Sequence, residues 1–130
     1  MNAFLNAMGA ASSGMNAQTM RMRIVSENVA NTDTPGYRAK TITFDNAFDR
    51  HTRVNKVEVD RISLSDKPLG EAYDPGHPMA DARGYVKTSN VNVMMEMADS
   101  REARRSYEAN LASFQQARQM YSSLLDLLRS

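Results

Sequence analysis

A mainly α-helical fold with a small β insert is predicted by three features of the sequence. One apolar stripe at helical spacing runs from the N-terminus to about residue 30. A longer one runs from about residue 91 to the end, and between them the helical period disappears. The two long helices flank the same insert, so the simplest arrangement pairs them antiparallel as a coiled-coil-like core around a central short-strand or hairpin segment. The chain thereby divides into an N-terminal helix over 1–33, an insert over 34–90 and a C-terminal helix over 91–130.

The first helix is expected from about Asn2 to about Ala30. Steps of three and four give Met1, Phe4, Met8, Ala11, Met15, Gln18, Met22, Val25 and Val29, a spacing close to that of a coiled-coil seam. Gly9 and Gly14 each weaken a helix by about 1 kcal/mol relative to Ala, so this helix depends on packing. Asn28 and Asn31 suit its C-terminus or the turn beyond it, because Asn tolerates a left-handed backbone. Thr34 precedes Pro35 and is steered away from the helical region, and Pro35-Gly36 suits the centre of a type II turn.

In the insert, Val57, Val59, Ile62 and Leu64 alternate with polar residues apart from one break near Arg61. This predicts one or two short, half-buried strands. Lys67-Pro68-Leu69-Gly70 and Asp74-Pro75-Gly76-His77-Pro78 are turn chemistry, and Gly84-Tyr85-Val86 begins a last short strand.

The second helix starts near Val91-Asn92, with Asn90 or Asn92 as N-cap, and meets no Pro or Gly before the end. Its seam is Val93, Met97, Ser100, Arg104, Tyr107, Leu111, Phe114, Arg118, Tyr121, Leu125 and Leu128, widened by Ala103, Ala117 and Leu124. Arg104 and Arg118 interrupt it with their stems laid along the seam. A helix of about 37 residues is roughly 55 Å long. A compact globule of this chain length is only about 36 Å across. The second helix therefore projects beyond any globule, and its stripe calls for neighbours.

Composition narrows the function classes. The 130 residues carry a net charge of +1, ten Met, no Trp and no Cys. Without Cys there are no disulfides or thiolate metal sites. Nucleic-acid binding needs a concentrated basic face, and the nearest candidate, Arg101, Arg104 and Arg105, is broken by Glu102 and followed by Glu108. Nothing approaches the roughly 18 unbroken apolar residues that span a bilayer, so the chain is read as not membrane-spanning. Residues 1–20 carry no charge, and Asn6 interrupts the apolar start, which makes a poor cleavable signal peptide.

The segment Ser26-Glu27-Asn28-Val29-Ala30-Asn31-Thr32-Asp33-Thr34-Pro35-Gly36-Tyr37 resembles the motif after the N-terminal helix of the bacterial flagellar rod and hook axial family. Ser26 and Glu27 replace its usual Ala-Asn. Ala11-Ser12-Ser13-Gly14-Met15 resembles the same family's small-residue stretch. A second block, Tyr73-Asp74-Pro75-Gly76-His77-Pro78 followed by Gly84-Tyr85-Val86, Asn90-Val91-Asn92-Val93 and Ser106-Tyr107-Glu108-Ala109-Asn110, is similar to proximal-rod members of that family. The motif residues are thus Asn28, Ala30, Asn31, Thr34, Pro35, Gly36, Tyr37, Asp74, Pro75, Gly76, His77 and Pro78.

This resemblance implies a non-catalytic structural subunit of the basal-body rod, stacked helically with copies of itself and other rod subunits around the export channel. It implies passage through the flagellar type III export apparatus to the periplasm, with no cleavable signal peptide. Phe4 and Met8 fit the Phe-x-x-x-hydrophobic export-gate pattern. The expected subunit interface is Phe4, Met8, Met15, Met22, Val25, Val29, Met97, Tyr107, Leu111, Phe114, Tyr121, Leu125 and Leu128. The alternatives are another proximal-rod paralogue or a soluble coiled-coil interaction module with no filament role.

Asp74, His77 and Asp81 could be drawn as carboxylate and imidazole metal ligands, but their Pro-Gly-His-Pro setting reads as a rigid surface turn. His51 lies in a polar, solvated stretch. No nucleophile–base pattern, phosphate-cradling Gly loop or buried carboxylate pair is present. No catalytic residue, metal, cofactor or small-molecule substrate is therefore assigned.

Overall fold

A computed structural model describes residues 3–130. Met1 and Asn2, which the expected first helix and seam include, lie outside the described residues. The order is α1 (Ala3–Ala30), β1 (Lys40–Asp49), β2 (Val54–Leu64), β3 (Glu71–Tyr73), β4 (Tyr85–Lys87) and α2 (Val93–Arg129). The long terminal helices and the small β insert are as the sequence predicts.

The helices pack antiparallel along α1. Asn28 lies beside Glu96, Arg21 beside Asp99, Gly14 beside Asn110 and Phe4 beside Tyr121. The contact line runs through small residues: Ala11, Gly14 and Ala17 are buried on α1, and Ala103 and Ala117 on α2. The larger apolar residues of the predicted seams sit beside this line. Met8, Met15 and Met22 on α1, and Tyr107, Leu111, Phe114 and Tyr121 on α2, are half-buried. A Cβ added at Gly14 would meet the Asn110 amide at 2.7 Å. Gly14 thus leaves room for the Asn110 side chain.

β1 and β2 form a two-stranded antiparallel hairpin from Lys40↔Leu64 to Asp49↔Val54. Thr43 pairs with Arg61 and Phe44 with Val59, leaving Asp60 as a bulge. That extra residue is the break in alternation near Arg61. The strands are longer than predicted. Ten residues span about 33 Å, enough to run back along most of α1. At the far end the Val57 amide donates to Ser13 Oγ (3.1 Å), and Lys56 lies against Gly9.

On β2 half-burial is confined to Val54, Lys56 and Val57 near the tip, where the strand meets Gly9 and Ser13 of α1. Val59, Ile62 and Leu64 are exposed, as is Phe48 on β1. In β3–β4, Tyr73 and Tyr85 meet edge-on at 5.3 Å, and the Arg83 guanidinium lies over Tyr85. Of all the elements, α2 packs against α1 alone.

Candidate assembly surface

The end of α1 is organised by a buried amide. Asn28 is 1% exposed and lies in the last turn of the helix, which ends at Ala30. Among the described residues other than Gly, only Arg53, in the hairpin turn, has a positive φ. Asn28 Oδ1 accepts from the Tyr37 hydroxyl (3.0 Å) and the Lys40 amide (2.8 Å). Its Nδ2 donates to the Lys40 carbonyl (2.9 Å) and to Glu96 Oε1 (3.2 Å). One side chain thereby joins α1, the turn, β1 and α2. It fills its hydrogen-bonding capacity where water is excluded.

The turn follows from its sequence. Asn31 Nδ2 donates back to the Glu27 carbonyl (2.8 Å), and the Thr34 hydroxyl donates to Asn31 Oδ1 (3.1 Å). Tyr37 N bonds the Thr34 carbonyl (3.2 Å) with Gly36 at φ +73°, the type II turn that Pro35-Gly36 predicts. Gly36 N then donates to the Lys87 carbonyl on β4 (3.0 Å).

Asn90 forms a second junction. It accepts from the Ala39 amide (2.6 Å) and donates to the carbonyls of Lys67 (3.0 Å) and Ser65 (3.3 Å). Asn92 takes the N-cap of α2, accepting from the Met95 amide. Ser89 Oγ bonds the Thr32 carbonyl, and Arg38 donates to the Ser65 and Lys67 carbonyls.

Around this junction Arg21 pairs with Asp99 and Glu102, and Lys40 with Glu27. The Asp99 carboxylate raises the pKa of Arg21 above its ordinary value. Burial pushes the Glu96 carboxyl up, and the neighbouring Asp99 charge adds to the rise. The Glu27 carboxylate raises Lys40.

In the Asp74–Pro78 turn, the His77 amide bonds the Asp74 carbonyl (3.1 Å), and His77 Nδ1 accepts from the Met79 amide (3.0 Å). Asp81 Oδ1 accepts from the amide of Tyr85 and, less strongly, from that of Arg83, which holds its carboxyl below the usual range. These side chains brace a turn. Among the described residues no group of three or more His, Asp or Glu is placed to hold a metal ion.

The predicted interface residues fall into three groups. Val25 is buried within the subunit. Phe4, Met8, Met15, Met22, Tyr107, Leu111, Phe114, Tyr121 and Leu125 are half-buried along the flanks of the helix pair. Val29, Met97 and Leu128 are 40%, 50% and 75% exposed. A groove of about 390 Å³ lies between the end of α1 and the start of α2, lined by Met22, Val25, Ser26, Val29, Ala30, Met97 and Ser100. Sequence reasoning missed Ile24 as a core residue and the exposed apolar face of the hairpin. The Phe44/Phe48 spacing on β1 was the available signal for the second.

A pair of terminal helices held by a polar junction, with apolar flanks left uncovered, describes a subunit of a larger assembly. Residues 5–38 match the family description "Flagella basal body rod protein", and residues 82–127 match "Flagellar basal body rod FlgEFG protein C-terminal". The flagellar basal-body rod protein FlgC of Agrobacterium fabrum is 47% identical over 127 residues, covering 92% of this chain and 91% of that one. FlgC of Escherichia coli is 35% identical over 131 residues (96% and 98%), and FlgC of Borreliella burgdorferi 32% over 152 (95% and 97%). The chain belongs to the FlgC family of flagellar basal-body rod proteins, and it is a structural subunit of the rod. Among the described residues no helix is long and apolar enough to cross a membrane.

Proposed function

We propose that this chain stacks helically with copies of itself and with other rod subunits, its two terminal helices forming an inner layer around the export channel. The observation that carries this reading is that α2, roughly 55 Å long, packs against α1 alone while its other apolar residues stay uncovered. Phe4, Met8, Met15, Met22, Val25 and Val29 of α1, and Met97, Tyr107, Leu111, Phe114, Tyr121, Leu125 and Leu128 of α2, make the contacts between subunits. Residues 1–33 and 91–130 form this inner layer and 34–90 an outer insert. The motif residues at 28–37 and 74–78 hold the layers together and present the turns to neighbours. The role is mechanical and non-catalytic.

The chain reaches the periplasm through the flagellar type III apparatus, with Phe4 and Met8 read by the export gate. Leu128→Asp and Phe114→Asp are expected to abolish swimming and to remove the chain from isolated basal bodies at unchanged cellular levels. Normal swimming with both variants would overturn the assembly reading. Deleting residues 2–8 is expected to stop export, and secretion at the natural level would refute the role of Phe4 and Met8.

A further inference from the structure

The groove at the α1–α2 junction and the tip of α2 lie at opposite ends of the helix pair. Tyr121 meets Phe4, so residues 122–129 run past the level of Phe4 for about 12 Å. On this overhang Leu127 and Leu128 are 72% and 75% exposed, with Leu124 beside them. The groove offers Met22, Val25, Val29 and Met97 as matching apolar walls.

Charges match as well. Asp126 stands between the tip leucines. Arg101 and Arg104 lie one turn beyond Met97 and Ser100 on the α2 wall of the groove. Among the described residues none of the three holds an ion pair.

We infer that the groove receives the apolar C-terminal helix tip of an adjoining copy of this chain, with Leu127 and Leu128 of that copy against Val29 and Met97 and its Asp126 beside Arg101 and Arg104. The two surfaces differ and point opposite ways along one axis. Between subunits aligned in the same direction the contact is heterologous and continues as a stack along that axis. Three helices then share the apolar strip that two leave open. This rests on the rod-assembly reading and adds to it which surfaces meet and in which direction.

The test places a photo-crosslinking benzoylphenylalanine at Val29, and separately at Met97, and irradiates isolated basal bodies. Both side chains are well exposed in the subunit, so neither replacement disturbs the core. Mass spectrometry of the adducts is expected to find the last two turns of α2 of a second copy of this chain, and adducts to another rod protein overturn the inference. Adducts to any other segment, or none from either position in basal bodies that contain the chain, overturn the inference. Absence of the unsubstituted chain from basal bodies is a different result and counts against the assembly reading itself.

Discussion

Asn28, Gly14 and Glu96 show how much single positions carry in this chain. Asn28→Asp keeps the shape but replaces the two donors that face the Lys40 carbonyl and Glu96 with an oxygen. Leaving those buried acceptors unpaired costs on the order of 2 kcal/mol or more, to be read as a lower midpoint in urea unfolding. At Gly14 the sequence suggests only a weakened helix, whereas the structure puts the Asn110 amide where a Cβ would be. Gly14→Ala is therefore expected to destabilise by roughly 1–3 kcal/mol through overpacking. Combined with Asn110→Ala the loss should vanish, since Ala favours the helix by about 1 kcal/mol. A double-mutant cycle with no coupling between the two positions would contradict the notch. Glu96 has its pKa raised above its ordinary 4.5 by burial, so the folded state holds its proton more tightly than the unfolded one. The stability it contributes is full below the ordinary carboxylate value and is lost as pH rises through the folded pKa. Glu96→Gln should therefore melt higher than the natural chain near neutral pH, with the difference closing in acid.

At the scale of elements, small residues decide how the helices meet. Glu96, Ala103, Asn110 and Ala117 recur every seven residues on α2 and face α1. A seam drawn through the large apolar residues lies beside this line. Hydrophobicity picks out the residues that drive association, but closest approach belongs to those that leave room. The alternation of Val57, Val59, Ile62 and Leu64 made β2 readable, and its break marked the Asp60 bulge. β1 and the length of the hairpin were not legible, because Thr, Asp and Asn along it dilute the strand signal and its support comes from α1. The hairpin turn is held by Asp49, which accepts from Lys56 Nζ (3.0 Å) and from the amides of Thr52 and His51. The bond from Lys56 is the main cause of its pKa falling to about 2. A lowered carboxylate stabilises above its unfolded value of 3.8 and loses that contribution as pH falls towards about 2. Amide exchange at residues 51–53, corrected for its intrinsic pH dependence, should lose protection over that interval, and Asp49→Asn should remove the protection near neutral pH.

Across the whole molecule, α1 lies between α2 and the hairpin, and α2 is covered on one side only. Charged substitutions should then sort by location. Ala103→Asp, at the fully buried contact line, is expected to unfold the isolated subunit. Leu128→Asp should leave its circular dichroism and melting temperature unchanged while preventing its incorporation into basal bodies. By itself the sequence determined the helix–insert–helix layout, the type II turn at Pro35-Gly36 and the apolar stripes that call for neighbours. These follow from periodicity and local backbone preference within a few residues. Only the tertiary structure decided that Asn28 is a buried four-bond junction, that Gly14 is a notch for Asn110, and that Val59, Ile62 and Leu64 stay exposed. Each of those depends on which distant backbone or side chain arrives, and a contact between residues 12 to 96 positions apart leaves no local pattern to read.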